Sequence, residues 1–495
     1  MRQSIKLDPV TRVEGHLSIK IEVEGNRVVN ANSSGEMFRG MEKILQGRSP
    51  LDAPVITQRI CGVCPIPHGI ASVKGLESAF NVVPPVNAKL LRNLILGADF
   101  IQSHILHFYH LSALDFIDIE AILKYQGSDA SLNDLQSWVK EQLNSNVLFP
   151  ASPFLPRYQG SYISDPETNI AGIRHYLDAF EMRKLAHEAA AIFSGKMPHS
   201  ASIVPGGVTV NPTQEALEKY SAMMEKLVTF IEKSYIPDVV EIAKVFPEYF
   251  SMGSWNGGFL SAGVFDFIPS GISYNKQVVE VDENAFMEDS GFSYFSSSGA
   301  VHPFEGQTVA MPDKAGAYSW VKAPRYNGKP LEVGPLARLM VTYPDRNHPL
   351  TIEADALLKY LNMDISRLHS VFGRHAARAL EAKVIARKCI EWASQIKPGE
   401  AVFAEFNSAG SGKSVGFVEA PRGALSHWIQ VKDGKIANYQ CVVPTAWNCS
   451  PRDSEGLPGP VEQALIDTPV ADSDNPIEAA RIVRSFDPCL ACAVH

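Results

Sequence analysis

The chain has 495 residues, of which 45% are hydrophobic and 20% charged, a composition typical of a globular protein with a large core. Its net charge is −9 and no basic block occurs, so nucleic acid is not an expected partner. Seven cysteines do not make a disulfide framework in a chain of this length. No apolar run reaches the roughly 18 residues of a membrane span, and residues 1–9 lack the hydrophobic core of an export signal.

The predicted elements begin with a β-hairpin over residues 17–33, where apolar and polar residues alternate around Gly25-Asn26. Apolar residues then recur at helical spacing in four long segments. These segments are 86–115, 168–195, 213–235 and 353–396, and the last is predicted to be one continuous helix. Cys389 lies in that last segment and is expected to be a small buried side chain.

The remaining segments predict short strands and irregular connections. Residues 136–165 and 265–330 are rich in serine, glycine, proline and aromatic residues, which favours irregular structure with short strands. Strand character returns over 401–442, with Asp433-Gly434 as a hairpin turn. We therefore expect an α+β fold, mainly α, in which long helices form a central bundle and small sheets lie at the periphery.

Two cysteine pairs of identical spacing lie near opposite ends of the chain. They are Cys61 with Cys64 and Cys489 with Cys492, and each pair is followed by a histidine. Four thiolates suit a soft or borderline metal. A structural zinc site is the simplest alternative, but its pairs usually lie within one small module. Pairs at both ends predict one interwoven domain, 1–495, with a metal centre buried between the N- and C-terminal segments.

With these pairs, several further blocks make the sequence resemble the large subunit of nickel–iron hydrogenases over essentially its whole length. The blocks are DPVTRVEGH at 8–16, FRGME at 38–42, RICGVCPIPH at 59–68, HILHFYH at 104–110, EAPRGAL at 419–425, VVPTAWN at 442–448 and DPCLACAVH at 487–495. A single C-x-x-C would be a weak signal, whereas these blocks in this order are specific.

The resemblance implies a nickel–iron centre held by the four thiolates. Cys61 and Cys489 match the terminal nickel ligands, and Cys64 and Cys492 match the cysteines that bridge to iron. The iron would also carry carbon monoxide and cyanide, which dedicated maturation proteins supply.

Other matched positions surround that centre. Cyanide buried in a protein needs hydrogen-bond donors. Arg422 and Thr445 match the family positions that provide them, with Pro421 and Pro444 beside the same ligands, and His68 matches a histidine that donates to a bridging sulfur. Read without the resemblance, Arg422 would be a surface residue in a turn and His68 an ordinary core histidine.

A third ion is also implied by the resemblance. Glu42, the backbone carbonyl of Cys441 and the imidazole of His495 match a site that holds Mg²⁺ in most relatives, with Fe²⁺ as the alternative. The ion would tie three parts of the chain together. In the family, an endopeptidase removes a C-terminal extension after this histidine, so a chain ending at His495 is expected to be the mature form, with a truncated form as the alternative.

The implied reaction is H₂ ⇌ 2H⁺ + 2e⁻, and heterolytic cleavage needs a metal and a base. We expect the thiolate of Cys489 to be the first proton acceptor and Arg422 to organise charge, because a guanidinium is a poor base. Glu14 matches the proton-relay glutamate of the family, and Asp487 matches an active-site acid.

One position departs from many family members, which have an aspartate where this chain has Ser103. The QSH version of that block, with GVCP in the first thiol block, is closer to the nickel–iron–selenium branch. That branch has selenocysteine at the position of Cys489, so either a cysteine-bearing relative or a selenocysteine written as cysteine is expected.

Electrons must leave a buried centre, and this chain has no further cysteine cluster for iron–sulfur ligation. The resemblance implies that a small subunit carries those clusters and, in many members, the export signal for both chains. We therefore expect a periplasmic heterodimer that meets a membrane only through partners, with a cytoplasmic location as the alternative. Two rival functions remain: a hydrogen sensor with the same cofactor, and a respiratory quinone-reductase subunit, which would lack the four thiols.

Overall fold

The computed structural model describes residues 2–144, 161–297 and 299–495, and the fold is α+β. The helices are α1 (Met41–Leu45), α2 (Ala53–Thr57), α3 (Pro65–Ala79), α4 (Val86–Ile105), α5 (Ala130–Asn144), α6 (Pro166–Ser194), α7 (Gln214–Phe230), α8 (Ile236–Val245), α9 (Pro335–Thr342), α10 (Pro349–Leu361), α11 (Val371–Gln395), α12 (Pro444–Asn448), α13 (Pro460–Leu465), α14 (Ile477–Ser485) and α15 (Leu490–Ala493). Among the described residues, no helix combines the length and the apolar character that crossing a bilayer requires.

The strands form small separate sheets. They are β1 (Gln3–Leu7), β2 (Leu17–Glu24), β3 (Arg27–Gly35), β4 (Ile203–Val204), β5 (Gly207–Val208), β6 (Gly258–Val264), β7 (Ile268–Tyr274), β8 (Gln277–Val279), β9 (Phe286–Asp289), β10 (Ala300–Val301), β11 (Ala323–Tyr326), β12 (Leu331–Val333), β13 (Gly412–Ala420), β14 (Gly423–Lys432) and β15 (Lys435–Val442). The sheet orders are β1-β2-β3, β4-β5, β12-β6-β7-β8, β10-β9-β11 and β13-β14-β15. All neighbouring strands are antiparallel except β12 and β6, which are parallel.

Four long helices pack against one another in sequence-distant pairs. Helix α4 contacts α6 and α11, and α7 contacts the same two helices. Gly97 makes the α4–α11 approach possible, because a Cβ at this position would lie 2.4 Å from the Cys389 sulfur on α11. Cys389 is buried, as expected. The predicted helices over 86–115, 168–195 and 213–235 are confirmed as α4, α6 and α7, with π-helical turns extending α4 and linking α7 to α8.

The single helix predicted over 353–396 is wrong. Asn362 ends α10 in the left-handed conformation, with a φ of 52°. Ser370 then starts α11, because its side chain accepts a hydrogen bond from the Gly373 N–H. Apolar spacing continues across the break, so periodicity alone does not reveal it.

Two other predictions concern loops and hairpins. The irregular connection predicted over 136–165 is wrong as far as residue 144, because α5 reaches that residue, and residues 145–160 lie outside the described part. The hairpins at Gly25-Asn26 and Asp433-Gly434 are confirmed, as β2–β3 and β14–β15. Both residues of the second turn have positive φ, 51° and 69°, which suits a tight two-residue turn.

Candidate metal centre

The sulfurs of Cys61, Cys64, Cys489 and Cys492 all lie within 4.8 Å of one another. Cys61 ends a short 3₁₀ turn and Cys64 caps α3, while Cys489 caps α15 and Cys492 lies within it. The Cys61–Cys489 and Cys64–Cys492 sulfur distances are both 3.4 Å, and Cys489–Cys492 is 3.1 Å. All four thiols are buried and free, so the structure brings both predicted pairs into one cluster.

The N-terminal segment holds the terminal pair in place through backbone contacts. The Glu14 N–H donates to the Pro488 carbonyl at 3.3 Å, and the Leu490 N–H donates to the Glu14 carbonyl at 2.7 Å. Gly15 follows with a φ of 81°, and a Cβ there would lie 2.8 Å from the Leu490 Cβ. A glycine is therefore needed for the two segments to lie this close.

The charges of the cluster favour a cation. Burial raises the pKa of the Cys489 thiol well above its usual value, whereas hydrogen bonds from Cys489 and the other cysteines lower the pKa of Cys61. Four buried thiols cannot all ionise together without a compensating positive charge. The donor set therefore fits a soft, multiply charged metal ion better than it fits four free thiols.

Arg422 lies next to the cluster, and its guanidinium contacts Asp487 and Ser103. Its Nε donates to the Asp487 carbonyl at 3.1 Å, its Nη2 lies 3.0 Å from Asp487 Oδ1, and its Nη1 donates to Ser103 Oγ at 3.3 Å. Burial alone would lower the pKa of Arg422, but Asp487 and the thiols raise it well above its usual value. The guanidinium is thus held positively charged beside the sulfurs.

A second buried arginine, on α11, flanks the same aspartate. Arg378 Nε lies 4.0 Å from Asp487 Oδ2, and Arg378 Nη1 donates to the Ser485 carbonyl at 2.7 Å. Arg378 was not among the site residues predicted from the sequence. Its only signal was the spacing of Arg374, Arg378 and Glu381, which places three charged side chains on one face of a helix.

Thr445 and its neighbours line another side of the cluster. The Cys489 N–H donates to Thr445 Oγ1 at 2.9 Å, which leaves the threonine hydroxyl hydrogen free to donate elsewhere. Pro444 begins α12, and the Pro421 carbonyl accepts a hydrogen bond from Arg338 at 3.0 Å. An acceptor bound beside the sulfurs would therefore meet donors from both Thr445 and Arg422.

Glu14 is the carboxylate nearest the terminal pair. Its Oε2 accepts from the Cys489 thiol at 3.1 Å and from the Ala491 N–H at 2.9 Å. Burial and the negative charge of Cys61 raise the pKa of Glu14. The side chain is only partly buried, so it lies between the thiol cluster and the exterior of the chain.

His68 contacts the second cysteine of the terminal pair. Its Nε2 lies 3.4 Å from the Cys492 sulfur, and its Nδ1 lies 3.1 Å from His427 Nε2. Burial lowers the pKa of His68 to about 3, and burial likewise lowers the pKa of His427 well below its usual value. Burial therefore favours the neutral form of both rings.

A second candidate ion site lies at the end of the chain. The Glu42 carboxylate, the Cys441 sulfur and a ring nitrogen of His495 lie within 4.8 Å of one another. The Cys441 N–H donates to Glu42 Oε1 at 2.8 Å, and His495 Nε2 lies 3.1 Å from the same oxygen. His495 Nδ1 lies 2.5 Å from the Cys492 carbonyl, which links this site to the thiol cluster.

Lys322 also belongs to this second site, although it was not among the residues predicted from the sequence. Its ammonium lies 3.1 Å from Glu42 Oε2 and 3.5 Å from Glu288 Oε2. Burial alone would raise the pKa of Glu42, but Lys322 and His495 lower it below its usual value. Two buried carboxylates and an imidazole suit a divalent cation, and Lys322 already supplies part of the positive charge.

A family model described as nickel-dependent hydrogenase matches residues 39–495, and one described as HoxL-like matches residues 4–32. The chain belongs to the nickel-dependent hydrogenase family. This hydrogenase chain is 40% identical to the periplasmic NiFeSe hydrogenase large subunit of Desulfomicrobium baculatum, over 99% of this chain and 94% of the other. It is 37% identical to the hydrogenase-2 large chain of Escherichia coli K12, over 100% and 97% of the two chains.

Solved structures give the same result. The Ni-Fe-Se hydrogenase of D. vulgaris Hildenborough in the reduced state matches the hydrogenase chain with a TM-score of 0.90 and 41% identity, over 100% of both chains. Anaerobically purified NiFeSe hydrogenase of Dm. baculatum matches with a TM-score of 0.90 and 40% identity, again over 100% of both chains. The quinone-reductase and zinc alternatives are not supported by these matches.

Proposed function

We propose that this hydrogenase subunit catalyses H₂ ⇌ 2H⁺ + 2e⁻ at a nickel–iron centre held by Cys61, Cys64, Cys489 and Cys492. The observation that carries the proposal is the cluster of four buried, free thiols from opposite ends of the chain. When bound, the metal centre supplies the electrophile that polarises H₂ and takes up its electrons.

Within this proposal, the four cysteines divide into two kinds. Cys61 and Cys489 would hold nickel alone, whereas Cys64 and Cys492 would hold both nickel and iron. Arg422 and Thr445 would donate hydrogen bonds to cyanide on the iron, which would also carry carbon monoxide, and Pro421 and Pro444 would lie beside these ligands. The free hydroxyl hydrogen of Thr445 and the charged guanidinium of Arg422 support this assignment.

Proton transfer would use groups of this chain alone. The Cys489 sulfur accepts the proton from H₂ and passes it to Glu14 Oε2, which lies 3.1 Å away. Arg422 is held charged by Asp487, so it stabilises negative charge near the sulfurs rather than accepting the proton. Glu14 then releases the proton toward the exterior.

The second site would hold a structural Mg²⁺ or Fe²⁺, bound by Glu42, the Cys441 carbonyl and His495. The structure has the Cys441 N–H on Glu42 and the Cys441 sulfur within the ligand cluster, and the carbonyl assignment rests on the family resemblance. We also propose that helices α4, α6, α7 and α11 are the central bundle of one domain, 1–495. One hydrophobic cluster that includes both Ile5 and Val494 supports a single domain.

Partners follow from the need to move electrons. We propose that an iron–sulfur small subunit forms a heterodimer with this chain, and that the pair is exported to the periplasm after maturation proteins insert the metals and an endopeptidase trims the large subunit. The name of the D. baculatum relative, a periplasmic large subunit, supports this location. The sensor alternative is not favoured, because the relatives are named as uptake hydrogenase and hydrogenase-2 large subunits.

Metal analysis and infrared spectroscopy of the purified complex test the proposal. We expect nickel and iron together, carbon monoxide and cyanide bands, and a smaller subunit with an iron–sulfur signal. Zinc without nickel would overturn the assignment of the metal. A single chain that passes electrons to a soluble dye at full rate, with no iron–sulfur signal, would overturn the assignment of the partner.

A further inference from the structure

A continuous line of buried hydrogen-bonding groups leads away from the Cys492 sulfur. His68 Nε2 lies 3.4 Å from that sulfur, and His68 Nδ1 lies 3.1 Å from His427 Nε2. His427 Nδ1 in turn lies 2.7 Å from the Tyr439 hydroxyl. All four residues are buried, so the two imidazole rings take their ring hydrogen bonds from their neighbours in the line rather than from solvent.

Rigid elements hold this line in place. His68 lies on α3, His427 on β14 and Tyr439 on β15. In the β14–β15 ladder, Ile429 pairs with Tyr439 and His427 pairs with Cys441, so the two side chains are diagonal neighbours on adjacent strands. Helix α3 packs against both β13 and β14, which fixes His68 relative to the sheet.

When Cys492 is a metal ligand, the donors and acceptors along this line can be arranged in only one way, from the Tyr439 hydroxyl to the Cys492 sulfur. A metal-bound thiolate has no S–H, so it can only accept from His68 Nε2. A neutral imidazole carries one ring proton, so His68 Nδ1 must then accept, and His427 Nε2 must donate to it. His427 Nδ1 is left as an acceptor, which the Tyr439 hydroxyl satisfies as donor.

We propose that His427 and Tyr439 are positioning residues, which fix the ring proton of His68 on Nε2 so that it donates to the Cys492 thiolate. This inference deepens the proposed function and rests on it, because the donor matters only if Cys492 is a deprotonated ligand. Without the tyrosine, His427 can carry its proton on Nδ1 instead, and His68 then has no reason to keep its own proton on Nε2.

The expected consequence is electronic. A donor on a bridging thiolate withdraws electron density from the sulfur, and through it from the iron. Loss of that donor makes the iron more electron-rich, which strengthens back-donation and moves the carbon monoxide stretching band to lower wavenumber. A purely structural role would lower stability or metal content without a signed shift of this band.

The test uses the purified heterodimer and three variants. His427→Leu removes the donor to His68, and we expect turnover to fall by about tenfold or more, together with a carbon monoxide band at lower wavenumber. His427→Gln keeps an N–H donor where Nε2 stands, so it should restore most of the band position and the turnover. Tyr439→Phe should give a smaller shift in the same direction, with nickel and iron content unchanged.

Tyr220→Phe is the matched control, because the Tyr220 hydroxyl is also buried and donates at 2.7 Å, but to the Leu94 carbonyl between two helices. It should leave the band unchanged. An unshifted band in both Tyr439→Phe and His427→Leu, or an equal shift in His427→Gln and His427→Leu, would overturn the proposal. If His427→Leu does not acquire nickel, the band of Tyr439→Phe decides. Absence of any such band in the wild-type protein would instead refute the proposed function.

Discussion

The two candidate ion sites share the C-terminal tail but differ in the charges around them. At the thiol cluster, neighbouring cysteines lower the pKa of Cys61 and the Arg422 guanidinium lies beside the sulfurs, but four buried thiols cannot all ionise without a further positive charge. The Glu42 site already contains the Lys322 ammonium, 3.1 Å from the carboxylate. The thiol cluster therefore needs a metal ion to balance four ionised sulfurs. The Glu42 carboxylate, in contrast, keeps the Lys322 ammonium as a partner without an ion.

The largest effect is expected at the thiol cluster. Cys61→Ser replaces a soft ligand with a hydroxyl, which binds nickel poorly, so nickel retention and activity should both be abolished. Metal analysis and hydrogen-uptake assays measure this. Cys389→Ser is the control, because Cys389 is equally buried but lies in α11, and it should keep its nickel. Normal nickel content and turnover in Cys61→Ser would remove the basis of the comparison.

Glu14→Gln should leave both sites loaded but stop proton transfer from the first. The amide keeps the size and a hydrogen bond but cannot cycle a proton, so turnover and exchange with solvent deuterium should fall by about 10²-fold or more. Conversion of para- to ortho-hydrogen should stay near normal. The exposed Glu24→Gln serves as the control. Wild-type exchange in Glu14→Gln would mean that the proton leaves by another route, with Asp487 and Arg422 as the adjacent candidates.

Glu42→Gln tests whether the two ion sites bind their metals independently. It should remove the divalent ion and lower the free energy of unfolding by about 3 kcal/mol, because the buried Lys322 loses one of its carboxylate partners. Nickel content should be unchanged. Metal analysis and denaturant unfolding measure both quantities. Glu22→Gln removes only a partly exposed ion pair with Arg2, so as a control it should change stability by less than about 1 kcal/mol. Loss of nickel together with the divalent ion would show that the sites are not independent.

The smallest effect is expected at Ser103, which accepts from Arg422 at 3.3 Å. Because Asp487 also holds this guanidinium, Ser103→Ala should raise the activation free energy of the reaction by only about 1 kcal/mol. This corresponds to a roughly fivefold decrease in turnover. Ser261→Ala removes a comparable buried hydroxyl, which donates to the Pro269 carbonyl, and should have no effect on turnover. A loss at Ser103 as large as that at Glu14 would make the serine part of the proton route.

Short sequence patterns correctly predicted the helices and turns that depend mainly on residues close together in the chain. The α4, α6 and α7 helices and the two-residue turns followed from apolar spacing and from glycine or asparagine at turn positions. The break between α10 and α11 was missed, because the apolar spacing runs on past Asn362 and the cap at Ser370 looks like an ordinary helix residue. Helix α5 was missed because serine, asparagine and glutamine weakened its helical signal.

The residues of the candidate site also divide into those that the sequence identified and those that it did not. The cysteine pairs and the motif blocks identified the thiols, Glu14, Arg422 and His68 because each lies in a recognisable stretch of sequence. Arg378 and Lys322 were not identified, because a charged side chain is normally exposed and nothing near them in sequence indicates burial. Their partners, Asp487 and Glu42, come from segments far along the chain, so the pairing exists only in the folded structure.

The thiol contact between Cys61 and Cys489 joins residues that are 428 positions apart. Closing a loop of this length costs an unfolded chain about 5 kcal/mol of conformational entropy. Contacts of such large sequence separation form late, so the tail is expected to be the last part of the chain to dock. An ion that binds both pairs would cross-link the two ends of the chain, so slow release of that ion would prolong the lifetime of the folded chain.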